Sequence, residues 1–270
     1  MAKVTFVNVD RPALEGVAIP ARVYKSSEEA VKDVARNAAG LVEARRQEGT
    51  PCVLGLPTGS TPVGVYRELV RMHRDEGLSF NHAITFNLDE YLPIPNDDPN
   101  SFQQFMRDQF FNHVDVKENN LHIPDGTTPI AEVDRHAEEY EAAIAEAGGF
   151  DLMLLGIGRT GHIGFNEPGS APDSRTRRVE LSAETRHDAA KAFGGLDNVP
   201  THAITMGLQT MFQAERIVLL AFGEHKAEAV RKALEEPPSS DCPASLLQRH
   251  ESVAFVLDEA AASGLSRMSG

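Results

Sequence analysis

Residues 151 to 168 read Asp-Leu-Met-Leu-Leu-Gly-Ile-Gly-Arg-Thr-Gly-His-Ile-Gly-Phe-Asn-Glu-Pro, an apolar run that breaks into glycines and then presents a histidine and a glutamate. Leu152 to Leu155 form a short continuous apolar stretch bounded by turn signals, which predicts a central parallel strand covered on both faces. Such strands belong to α/β sheets, whose ligands bind at the carboxyl ends of the strands. Gly156, Gly158, Gly161 and Gly164 permit backbone conformations and close approaches closed to other residues, while His162 and Glu167 bring titratable groups into the same loop.

The rest of the chain alternates strand, loop and helix. A β-rich fragment from Val4 to Val9 reads as part of an N-terminal extension over residues 1 to 20, and Val17 to Tyr24 carries a strand. Ser26 and Glu29 match a capping box, and Ala30, Val31, Val34, Ala35, Ala38, Leu41 and Val42 recur at helical spacing, predicting a helix over 27–48. The run from Val53 to Pro57 stops at Thr58-Gly-Ser-Thr-Pro62 before Val65, Leu69 and Met72 resume helical spacing. With Thr61 as cap and Pro62 in the first turn, free N–H groups and the positive helix end point at this loop, a seat for phosphate. An ordinary strand-to-helix turn uses the same residues, and neither a Walker lysine nor a dinucleotide glycine spacing is present.

Ala83 to Leu88 predicts another strand, with Asp89-Glu90-Tyr91 hanging from its carboxyl end. Adjacent carboxylates often form a solvated strand end or a helix cap, but here they face the ligand crevice. A helix over 101–112 carries Phe102, Phe105 and Phe110, expected in the core, and another helix follows at 131–147. The connection from Ile157 to the strand at His202 to Met206 is long enough to carry its own helix, at 183–193, and residues 163–195 are expected to form an active-site lid. Arg216 to Phe222 forms the next strand, and Lys226 opens the helix after it, where the dipole disfavours cations. A helix near 243–250 and a strand at 252–257 complete a single domain over 1–270.

With 270 residues and 41% hydrophobic content, the chain can bury one large core. A formal net charge of −14 argues against general nucleic-acid or anionic-membrane binding. No apolar run approaches the roughly 20 residues of a membrane span, and the N-terminus lacks a secretory signal, so the expected location is cytoplasmic. Cys52 and Cys242 form no disulfide framework or metal knuckle, and Cys52 reads as a small buried residue. Three strands thus bring Thr58 to Thr61, then Asp89, then His162 with Glu167 to one sheet edge, and a fourth adds Lys226. The set offers a phosphate seat, a carboxylate base and a carboxylate-backed histidine, with no metal-ligand spacing and no redox motif.

These motifs resemble the glucosamine-6-phosphate deaminases from about residue 22 to 258: Leu-Gly-Leu-Pro-Thr-Gly-Ser-Thr-Pro at 54 to 62, Phe-Asn-Leu-Asp-Glu-Tyr at 86 to 91, and Gly-His-Ile-Gly-Phe-Asn-Glu-Pro at 161 to 168. The related 6-phosphogluconolactonases share the fold and a glycine-histidine loop, but not the second motif or the Phe-Asn-Glu-Pro ending. The resemblance implies a doubly wound, mostly parallel, Rossmann-like sheet with helices on both faces. It implies conversion of glucosamine 6-phosphate and water to fructose 6-phosphate and ammonia without metal or redox cofactor. Asp89 would move the proton between C2 and C1, His162 would open the pyranose ring, and Glu167 would support the histidine. Thr58, Gly59, Ser60, Thr61 and Lys226 fall on the phosphate site.

Three departures accompany the resemblance. Thr160 stands where the family usually places an aspartate, which predicts slower ring opening, with Glu167 taking more of the supporting role. Lys191 aligns with the second phosphate cation, usually arginine, and lacks its bidentate fork. Val179 stands where allosteric members place a cation. A lactonase or a non-catalytic phosphosugar sensor are the competing readings, and no self-association motif decides between a monomer and a homo-oligomer.

Overall fold

The computed structural model describes residues 17–266, so the fragment from Val4 to Val9 lies outside the described residues. Elements follow in the order β1 (Ala21–Tyr24), α1 (Ser27–Glu48), β2 (Cys52–Leu56), α2 (Val63–Glu76), β3 (Ala83–Asn87), β4 (Asp89–Leu92) and α3 (Phe102–Gln109). Then come β5 (Leu121–His122), α4 (Val133–Glu146), β6 (Leu152–Gly156), β7 (Arg177–Glu180), α5 (Ala183–Ala189) and β8 (His202–Thr205). The last are α6 (Leu208–Met211), β9 (Ile217–Ala221), α7 (Ala227–Glu235), β10 (Val253–Asp258) and α8 (Glu259–Ala262).

Local signals set the long elements. Ser26 accepts the Glu29 N–H at the start of α1, and Gly49, at φ +72°, closes its end by donating to the Arg45 and Arg46 carbonyls. Ala30, Val34, Ala38 and Val42 then make one buried stripe. Strand β2 is buried along its whole length, and β6 is buried over Leu152 to Leu155, as a central parallel strand requires.

Seven strands form one parallel sheet in the order β1-β10-β9-β6-β2-β3-β5. Alternate residues feed two cores. Leu54, Leu154, Val218 and Leu220 pack with α1, α2 and Met106 of α3 on one face. Val53, Met153, Leu155 and Leu219 pack with Tyr140 and Ile144 of α4, Val230 and Leu234 of α7, and Ala261 and Ala262 of α8 on the other. Each large aliphatic side chain fully buried in this way contributes roughly 1.5–3 kcal/mol. The chain runs outward from β2 through β3 to β5 and returns to β6 on the opposite side of β2, so the order reverses between β2 and β6. The crevice at their carboxyl ends is where such sheets bind ligands.

The structure corrects three expectations. The acidic pair does not hang from a strand end: the chain leaves the main sheet at Leu88, and Asp89 opens β4, which pairs antiparallel with β8. The run beginning at His202 therefore lies in a second, three-stranded sheet of order β4-β8-β7, and the described residues form two sheets rather than one. Segment 163–195 contributes β7 to that sheet, and its Phe165, Val179, Leu181 and Phe193 pack with Tyr91 and Ile94. Finally, Pro62 rather than Thr61 occupies the N-cap of α2, and no side chain caps that helix. Among the described residues no helix is long and apolar enough to cross a membrane.

Candidate active site

A cleft of about 310 Å³ opens at the carboxyl ends of β2 and β6, beside the start of β4. It is lined by Thr58, Gly59, Ser60 and Thr61, by Leu88, Asp89, Tyr91 and Phe102, by Gly156 to Gly158, His162, Gly164 and Phe165, and by Lys226. The phosphate loop is anchored by the Tyr66 hydroxyl, which donates to the Pro57 carbonyl at 2.5 Å. Gly59 takes φ +98°, a conformation that costs other residues, and the uncapped first turn of α2 follows directly.

The histidine loop is tight because Gly158 donates to the His162 carbonyl at 2.9 Å and Gly161 to the Gly158 carbonyl at 3.1 Å. The His162 ring lies on the Gly158 backbone, where an added Cβ would stand 2.0 Å from Cε1. Behind the ring, Thr160 Oγ1 lies 2.9 Å from Nδ1 and donates to Glu167 Oε2 at 3.1 Å, while Nδ1 and Glu167 Oε2 are 3.2 Å apart. The threonine has one proton and an ionised carboxylate can only accept, so Nδ1 carries the hydrogen and Nε2 keeps its lone pair for the cleft. Ser182 and Thr185 donate to Glu167 Oε1. Burial alone would raise the Glu167 pKa, but hydrogen bonds from His162, Thr185 and Ser182 hold it at about 2. Glu167 thus gives the imidazole the carboxylate partner that Thr160 cannot.

Asp89 lies in the opposite condition. Its side chain is almost wholly buried, and burial, reinforced by the charge of Glu90, pushes its pKa up to about 8. Strand alternation turns Glu90 the other way, where it accepts the Tyr91, Phe102 and Gln103 N–H groups at 2.8–2.9 Å. Burial raises Glu90 to about 7 against the pull of these three donors, and the carboxylate seats the first turn of α3 beneath the cleft. Phe102, expected in the core, instead stacks on Phe165 at 5.9 Å between centroids and, with Tyr91, forms an aromatic wall. Burial lowers the Lys226 pKa; Asp188 opposes that shift and Arg159 adds to it. Lys191 is exposed beyond α5 and does not line the cleft.

Thus Thr58 to Thr61, Asp89, His162 and Lys226 converge, Glu167 stands behind the histidine, and Lys191 stays outside. Sequence reasoning noted Glu90 beside Asp89 without giving it a role, and passed over Ser182, Thr185 and the aromatic wall. Only the Ser182-x-x-Thr185 spacing, a helix N-cap pattern, marked any of them in advance. Among the described residues no group of three His, Cys, Asp or Glu side chains forms a metal-ligand set.

Residues 25–256 match the family model described as Glucosamine-6-phosphate isomerases/6-phosphogluconolactonase. The chain belongs to this family. Within it, the glucosamine-6-phosphate deaminase of Rhodococcus jostii (strain RHA1) is 48% identical over 233 residues, 86% of this chain and 89% of that protein. A solved structure of a monomeric glucosamine-6-phosphate deaminase superposes with a TM-score of 0.86 at 44% identity, covering 90% of this chain and 99% of that one. The 6-phosphogluconolactonase of Trypanosoma brucei reaches a TM-score of 0.74 at 22% identity over 91% of this chain and 98% of its own, a likeness of fold alone.

Proposed function

We propose that this chain is a glucosamine-6-phosphate deaminase, taking glucosamine 6-phosphate and water to fructose 6-phosphate and ammonia. The observation that carries the reading is a pair of opposed groups in one cleft: a buried carboxylate of raised pKa, Asp89, facing a histidine whose Nδ1 is held by Glu167. The deaminase relatives at 44–48% identity support it.

In this reading the phosphate sits on Thr58 to Thr61 and Lys226, where α2 presents uncapped N–H groups and a dianion offsets the cost of a half-buried ammonium. His162 Nε2 takes the anomeric hydroxyl proton and returns it to the ring oxygen, giving the open-chain aldehyde. The imidazolium formed meanwhile is stabilised by Glu167 through Nδ1. Ionised Asp89 then removes the C2 proton, made acidic by the aldehyde, and the resulting enolamine is reprotonated at C1. Water hydrolyses the ketimine so produced to the ketone and ammonia. Proton transfers accompany cleavage of the C1–ring-oxygen bond, and water adds at C2 before the C2–N bond breaks to release ammonia, so no change of overall oxidation state is required. The aromatic wall of Tyr91, Phe102 and Phe165 shields the carbanionic step from bulk water.

The same reading takes the chain as one sugar-phosphate isomerase/deaminase domain, with residues 163–195 as its lid. Because a sugar phosphate is charged and does not cross bilayers, the cytoplasm is the compartment proposed. The test is release of ammonia and fructose 6-phosphate from glucosamine 6-phosphate, with Asp89→Asn as control. Turnover by the native protein is expected to fall by about 10²–10⁴-fold in the variant. Binding without turnover in the native protein would favour a sensor. Lactone hydrolysis surviving Asp89→Asn would favour a lactonase.

A further inference from the structure

At the opposite end of the main sheet from the His162 cleft, a second cavity of about 850 Å³ lies against the amino ends of β1, β9 and β10. Among the described residues three arginines line it: Arg22 within β1, Arg216 just before β9, and Arg249 a few residues before β10. Arg22 is only 8% exposed, and its Nε and Nη1 are buried with no hydrogen-bond acceptor among the described residues. A guanidinium cannot shed its proton, and a buried cation without a counter-charge is costly. Neither carboxylate of the lining supplies one: Glu215 lies 3.4 Å from Arg45, and Glu251 is exposed. Beside the arginines, the Phe212 and His250 rings stand 6.4 Å apart. His250 Nδ1 accepts the Ser252 N–H at 3.1 Å, and Nε2 donates to the Ala214 carbonyl at 2.9 Å. The ring is thereby held in one neutral tautomer and has a face, not a proton, to offer a ligand.

We infer that this cavity is a second ligand site, taking a phosphomonoester with a planar ring body, its phosphate on Arg22 and its ring against Phe212 and His250. A phosphomonoester carries nearly two charges and three acceptor oxygens, which suit a guanidinium fork and leave charge for a second arginine. At about 850 Å³ against about 310 Å³ for the His162 cleft, the cavity has room for far more than the phosphate group. An aromatic pair beside a cation favours a flat ring over an aliphatic tail. The ligand sits at the amino ends of the strands, so it does not compete with a substrate bound at their carboxyl ends. Because it spans β1 and the segments that lead into β9 and β10, it ties the edge strand to the interior of the sheet.

Adenosine monophosphate is the probe, with adenosine and inorganic phosphate as controls. Hydrogen exchange locates it: slowed exchange is expected over residues 17–24 and 249–256 with the nucleotide, and little change with adenosine. By calorimetry, Arg22→Met is expected to weaken nucleotide binding at least about tenfold, and inorganic phosphate to bind about tenfold more weakly than the nucleotide. Arg249→Gln, at an exposed position, is expected to weaken binding by less, and it keeps the site testable should Arg22→Met fail to fold. Without ligand, Arg22→Met is expected to melt at or above the native Tm, because it removes a buried charge that has no partner. Protection confined to residues 58–61 would place the nucleotide in the His162 cleft and overturn the inference. So would adenosine binding as tightly as the nucleotide, or nucleotide binding that survives both substitutions. An Arg22→Met protein that melts well below the native one and still binds the nucleotide would leave Arg22 as a packing residue only. None of these readouts passes through His162 or Asp89, so the inference stands or falls apart from the deaminase reading.

Discussion

Two carboxylates facing one site are pushed in opposite directions by their surroundings, Glu167 down to about 2 and Asp89 up to about 8. For Asp89 the consequence extends to stability. Its ordinary value is 3.8, so between about pH 4 and pH 8 the folded chain keeps a proton that the unfolded chain releases. Stability from this group therefore falls as pH rises through that window, and the whole cost is present above about pH 8. Asparagine cannot ionise, so Asp89→Asn is expected to gain on the native protein with rising pH, by on the order of a few kcal/mol between pH 5 and pH 9. Denaturant unfolding of both proteins at the two pH values measures this, and an equal difference at each would mean that Asp89 is not buried as described. The same ionisation governs catalysis, since only the carboxylate can take a carbon-bound proton. The acid limb of kcat/KM should rise through the pH range in which the stability difference opens.

Helix α5 is the element that ties the candidate site to the small sheet. Ser182 caps it by accepting the Thr185 N–H at 3.1 Å, and both hydroxyls donate to Glu167, so the carboxylate behind the histidine also holds the helix. Glu167→Gln leaves one acceptor oxygen where two serve four contacts, so hydrogen exchange over residues 183–193 is expected to quicken while α1 stays protected. Unchanged exchange there would leave Glu167 as a partner of His162 only. None of this coupling is legible from sequence, because Glu167 and Thr185 meet across a turn of the chain that no local pattern encodes. By contrast, both ends of α1 are legible, since Ser26 and Gly49 act on their own neighbours. Strand β4 is not, because what makes Asp89 to Leu92 a strand is β8, more than a hundred residues further along the chain. Lys191 shows the same limit: an aligned position carries a residue type but not the direction in which the chain beyond α5 turns it.

For the molecule as a whole, the residues that follow strands were readable because parallel sheets put all those ends on one side, and glycines mark the apolar runs at the ends of β2, β6 and β9. The result is a site assembled from the loops after β2, β6 and β9 and from the opening of β4, segments spread along most of the chain. A ligand touching all four can bind only when the main sheet and the small sheet are both formed, so its binding energy becomes folding energy. At a hundred times its dissociation constant, a ligand that binds only the folded chain adds about 2.7 kcal/mol. For a protein of this size that corresponds to a rise in Tm of about 5–10 °C. Glucosamine 6-phosphate is expected to produce such a rise in the Asp89→Asn protein, and Lys226→Gln to remove most of it. Glucosamine without phosphate should have little effect, because the groups that bridge the segments are those around Thr58 to Thr61 and Lys226. A rise that survives Lys226→Gln would put the phosphate elsewhere, and the convergence of those loops would then be an arrangement of the fold without a part in binding.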